Sequence, residues 1–292
     1  MKEIVVISGK GGTGKTSITA ALACFAGKDS IVADCDVDAA DMHLLMQPDY
    51  GFEEDFYSGE LAVIDQNLCI RCGKCKNVCR FDAVEIKNFK YQINELSCEG
   101  CGYCEKICPP RAIKSVERLA GKWYLSKIRT GSIMVHARLG IGAENSGKLV
   151  AKVKNEAREI ALEERIEFVL IDGSPGIGCP VVSSLSGATL ALLVTEPTVS
   201  GLHDLKRVFQ LVKKFRIKAA CIINKADLNA NVSAEIKDFL IKEDIPLLSE
   251  IPYDEIFTQA MIQGETIAGF GESKVKDILK ATWKKIENIV TT

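Results

Sequence analysis

The sequence predicts an α/β protein, a mostly parallel sheet with helices on both faces, interrupted by a small inserted α+β domain. Short apolar, β-rich runs alternate with amphipathic stretches along most of the 292 residues. Strands buried on both faces by crossover helices read this way. Between about Leu61 and Arg118 the alternation stops, apolar runs become very short, and eight of the 12 cysteines appear. The alternation then resumes, so the cysteine-rich block is an insert and the expected division is 1–60, 61–118 and 119–292.

Each element follows from its own stretch. "EIVVIS" is a strand and 14–26 a helix; "SIVADC" is a strand and 38–46 a helix. After the insert, "KWYLSKIRTGSIMVHARL" reads as a hairpin leading into a helix near 146–164. The strands "FVLIDG", "LALLVTE", "KAACIIN" and "IPLLSEI" then pair with helices at 180–188, 201–214, 232–242 and 254–263. A chain of this length buries a sizeable core.

The net charge of −2 and pI near 6.0 give no electrostatic reason to expect nucleic acid or an anionic membrane as partner. No apolar run approaches the roughly 18 residues of a membrane span, and the N-terminus enters a strand without a charged leader, so a cytoplasmic location is expected. Disulfides are rare in that compartment, which turns the cysteines toward metal ligation. Cys24, Cys35 and Cys221 lie in apolar surroundings and read as packing residues.

Gly9, Lys10, Gly11, Gly12, Thr13, Gly14, Lys15 and Thr16 spell G-x-x-x-x-G-K-[ST], followed by Ser17, between a strand and a helix. Glycines there let successive N–H groups converge on phosphate oxygens at a helix N-terminus. Lys15 reaches the β and γ phosphates and Thr16 ligates magnesium. The form K-G-G-x-G-K-[ST], with Lys10 as a second lysine, resembles the deviant Walker A loop of the MinD, ParA and Mrp ATPases, a group that includes the nitrogenase iron protein. The resemblance implies that Lys10 reaches across a nucleotide-sandwich dimer to a partner's phosphates.

Two later segments resemble the same family in order. In "VADCDVDAAD", Asp36 corresponds to the aspartate that positions attacking water, with Asp34 and Asp38 beside it. In "VLIDGSPGIG", Asp172 corresponds to the carboxylate that holds the magnesium shell, and the Gly176 N–H, after Pro175, to the γ-phosphate sensor. The resemblance implies adenine recognised by Asn224 and by backbone near Pro252. "NKAD", Asn224 to Asp227, also spells the guanine signature N-K-x-D, so GTP stays open beside ATP.

The insert contains a repeat offset by 29 residues, "AVIDQNLCIRCGKCKNVCRFDAVEI" and "YQINELSCEGCGYCEKICPPRAIKSV". Its cysteines are Cys69, Cys72, Cys75 and Cys79, then Cys98, Cys101, Cys104 and Cys108 before Pro109, with Arg80 where the first run would have its proline. Two C-x2-C-x2-C-x3-C runs are the signature of a bacterial two-cluster ferredoxin, in which each fourth cysteine ligates the other cluster. Cluster one then uses Cys69, Cys72, Cys75 and Cys108; cluster two uses Cys98, Cys101, Cys104 and Cys79. Zinc is the alternative, although its sites usually pair two C-x2-C knuckles.

Taken whole, the chain resembles a MinD-superfamily P-loop ATPase with an inserted ferredoxin domain, related to Mrp-type iron-sulfur carrier ATPases and the nitrogenase iron protein. This implies a slow, dimerisation-dependent, Mg2+-requiring ATPase with two [4Fe-4S] clusters. Its partners are a second copy or a paralogue and a redox or metallocluster-receiving protein. The expected function is nucleotide-gated electron transfer or cluster assembly. Alternatives are a ParA/MinD-like spatial organiser and an ATP-controlled scaffold with structural clusters. Two features are left over. Cys179 matches in offset a cluster-ligating switch cysteine of the nitrogenase iron protein, but the companion ligand of that protein has no match here, and a buried or helix-start thiol is the favoured reading. The C-terminal stretch places Val275, Ile278, Leu279, Trp283, Ile286 and Ile289 on one helical face beside Lys274, Lys276, Lys280, Lys284 and Lys285, which suits either a docked helix or a membrane-surface one.

Overall fold

The structure is a computed structural model and describes residues 1–143 and 146–291. In chain order the elements begin β1 (Lys2–Ile7), α1 (Lys15–Ala26), β2 (Ser30–Cys35), α2 (Met42–Met46) and β3 (Phe52–Ile64). The cysteine-rich stretch gives α3 (Lys74–Val78), β4 (Val84–Lys87), β5 (Lys90–Ile93) and α4 (Tyr103–Lys106). Then come β6 (Ile113–Lys127), β7 (Ile133–Leu139), α5 (Ser146–Glu163), β8 (Phe168–Gly173) and α6 (Cys179–Leu185). The chain ends with β9 (Leu190–Thr195), α7 (Val199–Phe215), β10 (Lys218–Asn224), α8 (Ala230–Lys242), β11 (Leu247–Ile251), α9 (Ile256–Ile262) and α10 (Lys274–Thr291).

The sheet order is β11-β10-β9-β1-β8-β2-β7-β6-β3. Every pairing from β11 through β7 is parallel. The central strands are apolar on both faces because helices cover both: β1 is fully buried from Ile4 to Ile7, and β8 and β9 along their whole lengths. The crossovers bring the carboxyl ends of β1, β2, β8, β9 and β10 to one edge, where open parallel sheets bind ligands.

The chain divides into two compact units. One comprises Met1–Glu54, Trp123–Arg138 and the chain from Ser146 onward; the other comprises Asp55–Lys122 and a segment beginning at Leu139. The smaller unit starts before and ends after the stretch 61–118 singled out in the sequence. The stretch Phe52–Ile64, to which the sequence pattern assigned no element, is a strand; most of its residues are exposed, so apolar alternation never develops. Helix α2 begins at Met42 and not near residue 38, since the Ala39 N–H bonds the Asp36 carbonyl in a turn.

In the first unit, the apolar stripe of α10 is a docked face. Val275, Leu279, Trp283, Ile286 and Val290 are buried in the core, and Trp283 meets Phe168 edge-on at 5.2 Å between ring centroids. The basic residue Lys285 donates to the Leu248 carbonyl at 2.5 Å. Among the described residues no helix is long and apolar enough to cross a membrane.

His136 on β7 is buried, bonded to Ser126 Oγ through Nε2 at 2.9 Å and stacked on Tyr124. Burial pushes its pKa down to about 4. The unfolded chain takes up this proton near pH 6.5 and the folded chain only near 4, so stability is full above the first value and falls as pH drops between them. The loss reaches roughly 3 kcal/mol. Urea melts of the wild type and of His136→Gln, which cannot titrate, should differ in slope across this window and run parallel above pH 7.

Candidate functional site

The first functional region lies in the larger unit, at the carboxyl edge of its sheet. Between β1 and α1 the chain turns through Gly14, whose φ of 86° is left-handed and whose added Cβ would stand 2.5 Å from Asn224 Nδ2. Gly9 is required for packing: a Cβ there would lie 2.4 Å from Asp204 Cβ on α7. Gly11 and Gly12 face open space, a cradle that side chains would fill.

Lys15 opens α1 and is almost wholly buried. Its Nζ donates to Asp172 Oδ2 at 2.8 Å and stands 3.4 Å from Asp36 Oδ2. Thr16 Oγ1 also donates to Asp172 Oδ2, at 2.8 Å, and Thr19 Oγ1, one turn on, donates to Oδ1 at 2.8 Å. Asp34, beside Asp172 in the β2–β8 register, accepts the Asp36 N–H at 3.1 Å. Burial, aided by the Asp172 charge, pushes the Asp34 carboxyl up to about 8. Burial also holds the Asp36 carboxyl above its usual range, against the pull of Lys15. For Lys15, burial works against the charge, but Asp172, Asp36 and Asp34 outweigh it and hold the ammonium above its ordinary value.

Asp172 and the Thr16 hydroxyl, 2.8 Å apart, are hard oxygen donors of the kind magnesium takes beside phosphate, and Asp36 is linked to them through Lys15. Asp34 Oδ2 and Thr13 Oγ1 are buried with no protein partner among the described residues, so the pocket has polar capacity beyond its own side chains. The residues fit a magnesium-nucleotide.

The other expected residues are nearby, with contacts that sequence did not foretell. The Gly176 N–H, expected at the γ phosphate, here donates to the Ser8 carbonyl at 2.9 Å. Asn224, expected at the base, is buried and donates to the Thr13 carbonyl at 2.8 Å, so its amide nitrogen supports the loop. Asp227 accepts the Tyr253 N–H at 2.7 Å, tying its loop to the segment after β11 that holds Pro252. Lys10 Nζ pairs with Glu196 Oε1 at 2.7 Å and donates to Thr198 and Ser200 hydroxyls at 3.0 Å each. Glu196 also binds Lys225, whose Nζ reaches the Gly12 carbonyl. Burial opposes the Glu196 charge, but the two lysines prevail and hold its carboxyl below the usual range. Glu196 and Thr19 are the residues that sequence reasoning missed. Only the position of Thr19 four residues after Lys15 hinted at a shared helix face.

The second region lies wholly in the smaller unit. One cavity there is lined by Cys69, Cys72, Cys75 and Cys108, and another by Cys98, Cys101, Cys104 and Cys79. The fourth cysteine of each run thus faces the other run's cavity. Helices α3 and α4 carry the third cysteine of each run, and β4 and β5 form an antiparallel hairpin. Cys75 and Cys98 belong to the small apolar core. Outside this unit Cys35 and Cys221 are fully buried and burial pushes their thiols up. Cys24 is half-buried against Thr266, and Cys179 is exposed at the start of α6.

A phosphate loop at the carboxyl edge of a parallel sheet, with an aspartate of the neighbouring strand on its lysine, defines a nucleotide-binding α/β protein. The chain matches the family described as the CobQ/CobB/MinD/ParA nucleotide binding domain over residues 4–267, and it belongs to that family. An uncharacterized protein of Methanocaldococcus jannaschii, MJ0578, is 34% identical over 291 residues, 99% of this chain and 97% of that one. Among solved structures, the septum site-determining protein MinD of Pyrococcus horikoshii, complexed with Mg-ADP, is 19% identical with a TM-score of 0.57, covering 98% of this chain and 96% of that one. The MinC:MinD cell division protein complex of Aquifex aeolicus gives 17% identity and a TM-score of 0.61 over 99% of this chain and 96% of that one. At these identities the structures establish the fold. None of these comparisons names an iron-sulfur insert; the cysteine-lined unit stands on its own geometry.

Proposed function

We propose that the chain is an ATP-hydrolysing iron-sulfur protein whose nucleotide state gates electron transfer or cluster delivery to a partner protein. The observation that carries this reading is the pair of cavities, each lined by four cysteines in the crossed set that a two-cluster ferredoxin requires. A zinc site draws four sulfurs to within about 2.3 Å of one point. Among the described residues no three His, Cys, Asp or Glu side chains are grouped as ligands of a metal ion, so the choice of a four-iron cluster over zinc rests on the C-x2-C-x2-C-x3-C spacing; such clusters, when bound, carry single electrons.

At the sheet edge, the loop amides from Gly11 to Thr16 and the Lys15 ammonium bind the phosphates. Asp36 holds the attacking water in line, and Thr16 and Asp172 hold the magnesium shell. Because Lys15 sits on Asp172 in this structure, nucleotide entry exchanges a carboxylate partner for phosphate. Lys10 serves the nucleotide of a second copy or a paralogue, and that closure is the signal passed on.

A second reading is favoured by the solved structures of this fold, one of which is titled a septum site-determining protein and another a complex with MinC. The same switch would then drive spatial organisation, with the cysteine unit as a docking module. Anaerobic purification separates the two: the leading reading expects about eight iron and eight acid-labile sulfide per chain together with Mg2+-dependent ATP hydrolysis. Stoichiometric zinc without sulfide would leave the organiser reading standing.

A further inference from the structure

We propose that the two cysteine-lined cavities are electronically unequal, and that an electron entering the smaller unit settles at the one formed by Cys69, Cys72, Cys75 and Cys108. The proposal rests on the reading that each cavity holds a four-iron cluster.

The duplication makes the comparison clean. Residues lining the first cavity correspond, 29 positions apart, to residues lining the second: Ile64 to Ile93, Gly73 to Gly102, Ala112 to Ala83. Backbone is duplicated as well, since the Asp65 N–H donates to the Ala112 carbonyl and the Asn94 N–H to the Ala83 carbonyl, both at 2.7 Å. What the two halves share cancels in the comparison. What differs decides it.

Three differences act in one direction. Tyr91 lines the first cavity with its hydroxyl against Gly73, where an added Cβ would be 2.8 Å away; its counterpart at the second cavity is Ala62, which offers no donor. Arg71 and Lys74 line the first cavity, where the second has Gly100 and Tyr103. Ile70 at the first is replaced by Glu99 at the second. Taking up an electron adds negative charge, so nearby cations and hydrogen-bond donors raise a cluster's potential and a carboxylate lowers it. Two arginines oppose this trend: Arg80, exposed in an outer groove beside Cys101, and half-buried Arg118, whose Nη1 donates to the Cys98 carbonyl at 3.4 Å; neither lines the cavity. Arg71 and Lys74 are exposed too, so solvent screens their effect; Tyr91 is half-buried and screened less.

The inequality is built into the backbone. Arg71 has a φ of 58° and Gly100 one of 61°, the same left-handed conformation. At position 100 an added Cβ would lie 2.3 Å from the Glu60 carbonyl oxygen. The second cavity therefore cannot carry a side chain at the position where the first carries its arginine.

The test is a reductive titration of the anaerobically purified, full-length protein, followed by electron paramagnetic resonance. Two one-electron steps separated by at least tenfold in equilibrium constant, about 59 mV, are expected. The triple variant Arg71→Gly, Lys74→Tyr, Tyr91→Ala imports the other half's residues and should lower the upper step by at least tenfold without moving the lower one. Glu99→Ile should raise the lower step at least threefold, and it decides the matter if the triple variant fails to load iron. Coincident steps in the wild type, a triple variant that moves the lower step, or an unmoved lower step in Glu99→Ile would overturn the proposal. Absence of acid-labile sulfide from the wild-type protein overturns the cluster reading itself; sulfide present with coincident steps overturns only the inequality.

Discussion

Lys15→Ala is expected to lower affinity for ATP at least a hundredfold and, independently, to destabilise the nucleotide-free protein. The first effect is the loss of a charge-assisted contact to phosphate, worth up to about 3 kcal/mol. The second comes from the apo contacts: Lys15 is the cation on Asp172 and Asp36. Removing one partner of a buried pair costs about 3–5 kcal/mol. The pH dependence has a definite sign. In the wild type Asp34 ionises only near pH 8 in the folded state and near 3.9 in the unfolded one, so its contribution to stability is full below the lower value and is lost as pH rises through the window. Without Lys15 the buried carboxylates are harder still to ionise, and the decline steepens. Thermal melts should therefore show a larger difference between variant and wild type at pH 8 than at pH 5. Equal differences at the two pH values, or affinity within threefold of wild type, would refute this account of Lys15.

Lys10→Ala should leave ATP binding nearly intact and abolish ATP-dependent dimerisation with the turnover that depends on it. The geometry adds a companion expectation, because in the single chain Lys10 is held by Glu196. Reaching a second nucleotide means giving up that pair, and Glu196→Gln should ease the release. The pair is partly solvated, so the gain is about 1 kcal/mol, a roughly fivefold lower concentration for half-maximal association in light scattering. Asp36→Ala should associate and fail to hydrolyse. Mixing the Lys10 and Asp36 variants gives a hybrid whose one wild-type lysine serves only the ATP of the subunit lacking it. If Lys10→Ala dimerises and hydrolyses like wild type, the trans role is refuted; if Glu196→Gln associates less readily, the latch is.

Much of this was legible in the sequence because it is local. The loop from Gly9 to Ser17, Asp36 and Asp172 at strand ends, and the spacing of the eight cysteines each lie in a short stretch that can be seen without knowing the topology. The structure brings the loop, Lys15, Thr16, Asp36 and Asp172 together. What stayed hidden depends on topology. Glu196 meets Lys10 only because β9 and β1 are neighbours, a pairing no local pattern states. Asn224 reads as a base contact from its motif, yet the adjacency of β10 to β9 brings its amide under Thr13. The strand Phe52–Ile64 is polar and mostly exposed at the sheet edge, so it lacks the burial that makes strands readable.

The crossing of Cys79 and Cys108 between the two cavities also bears on the order of synthesis. A ribosome releases the chain from its N-terminus at roughly 5–20 residues per second. The first run emerges early, yet its cavity lacks a wall until Cys108 has been made, while the second is complete at Cys104. Both sites are therefore finished within a second of each other, and the site built from the later run is finished first. A nascent chain halted between Cys79 and Cys98 carries four of the eight thiols and no complete cysteine-lined cavity, so the interval between Cys79 and Cys104 is when those thiols most need protection from oxidants.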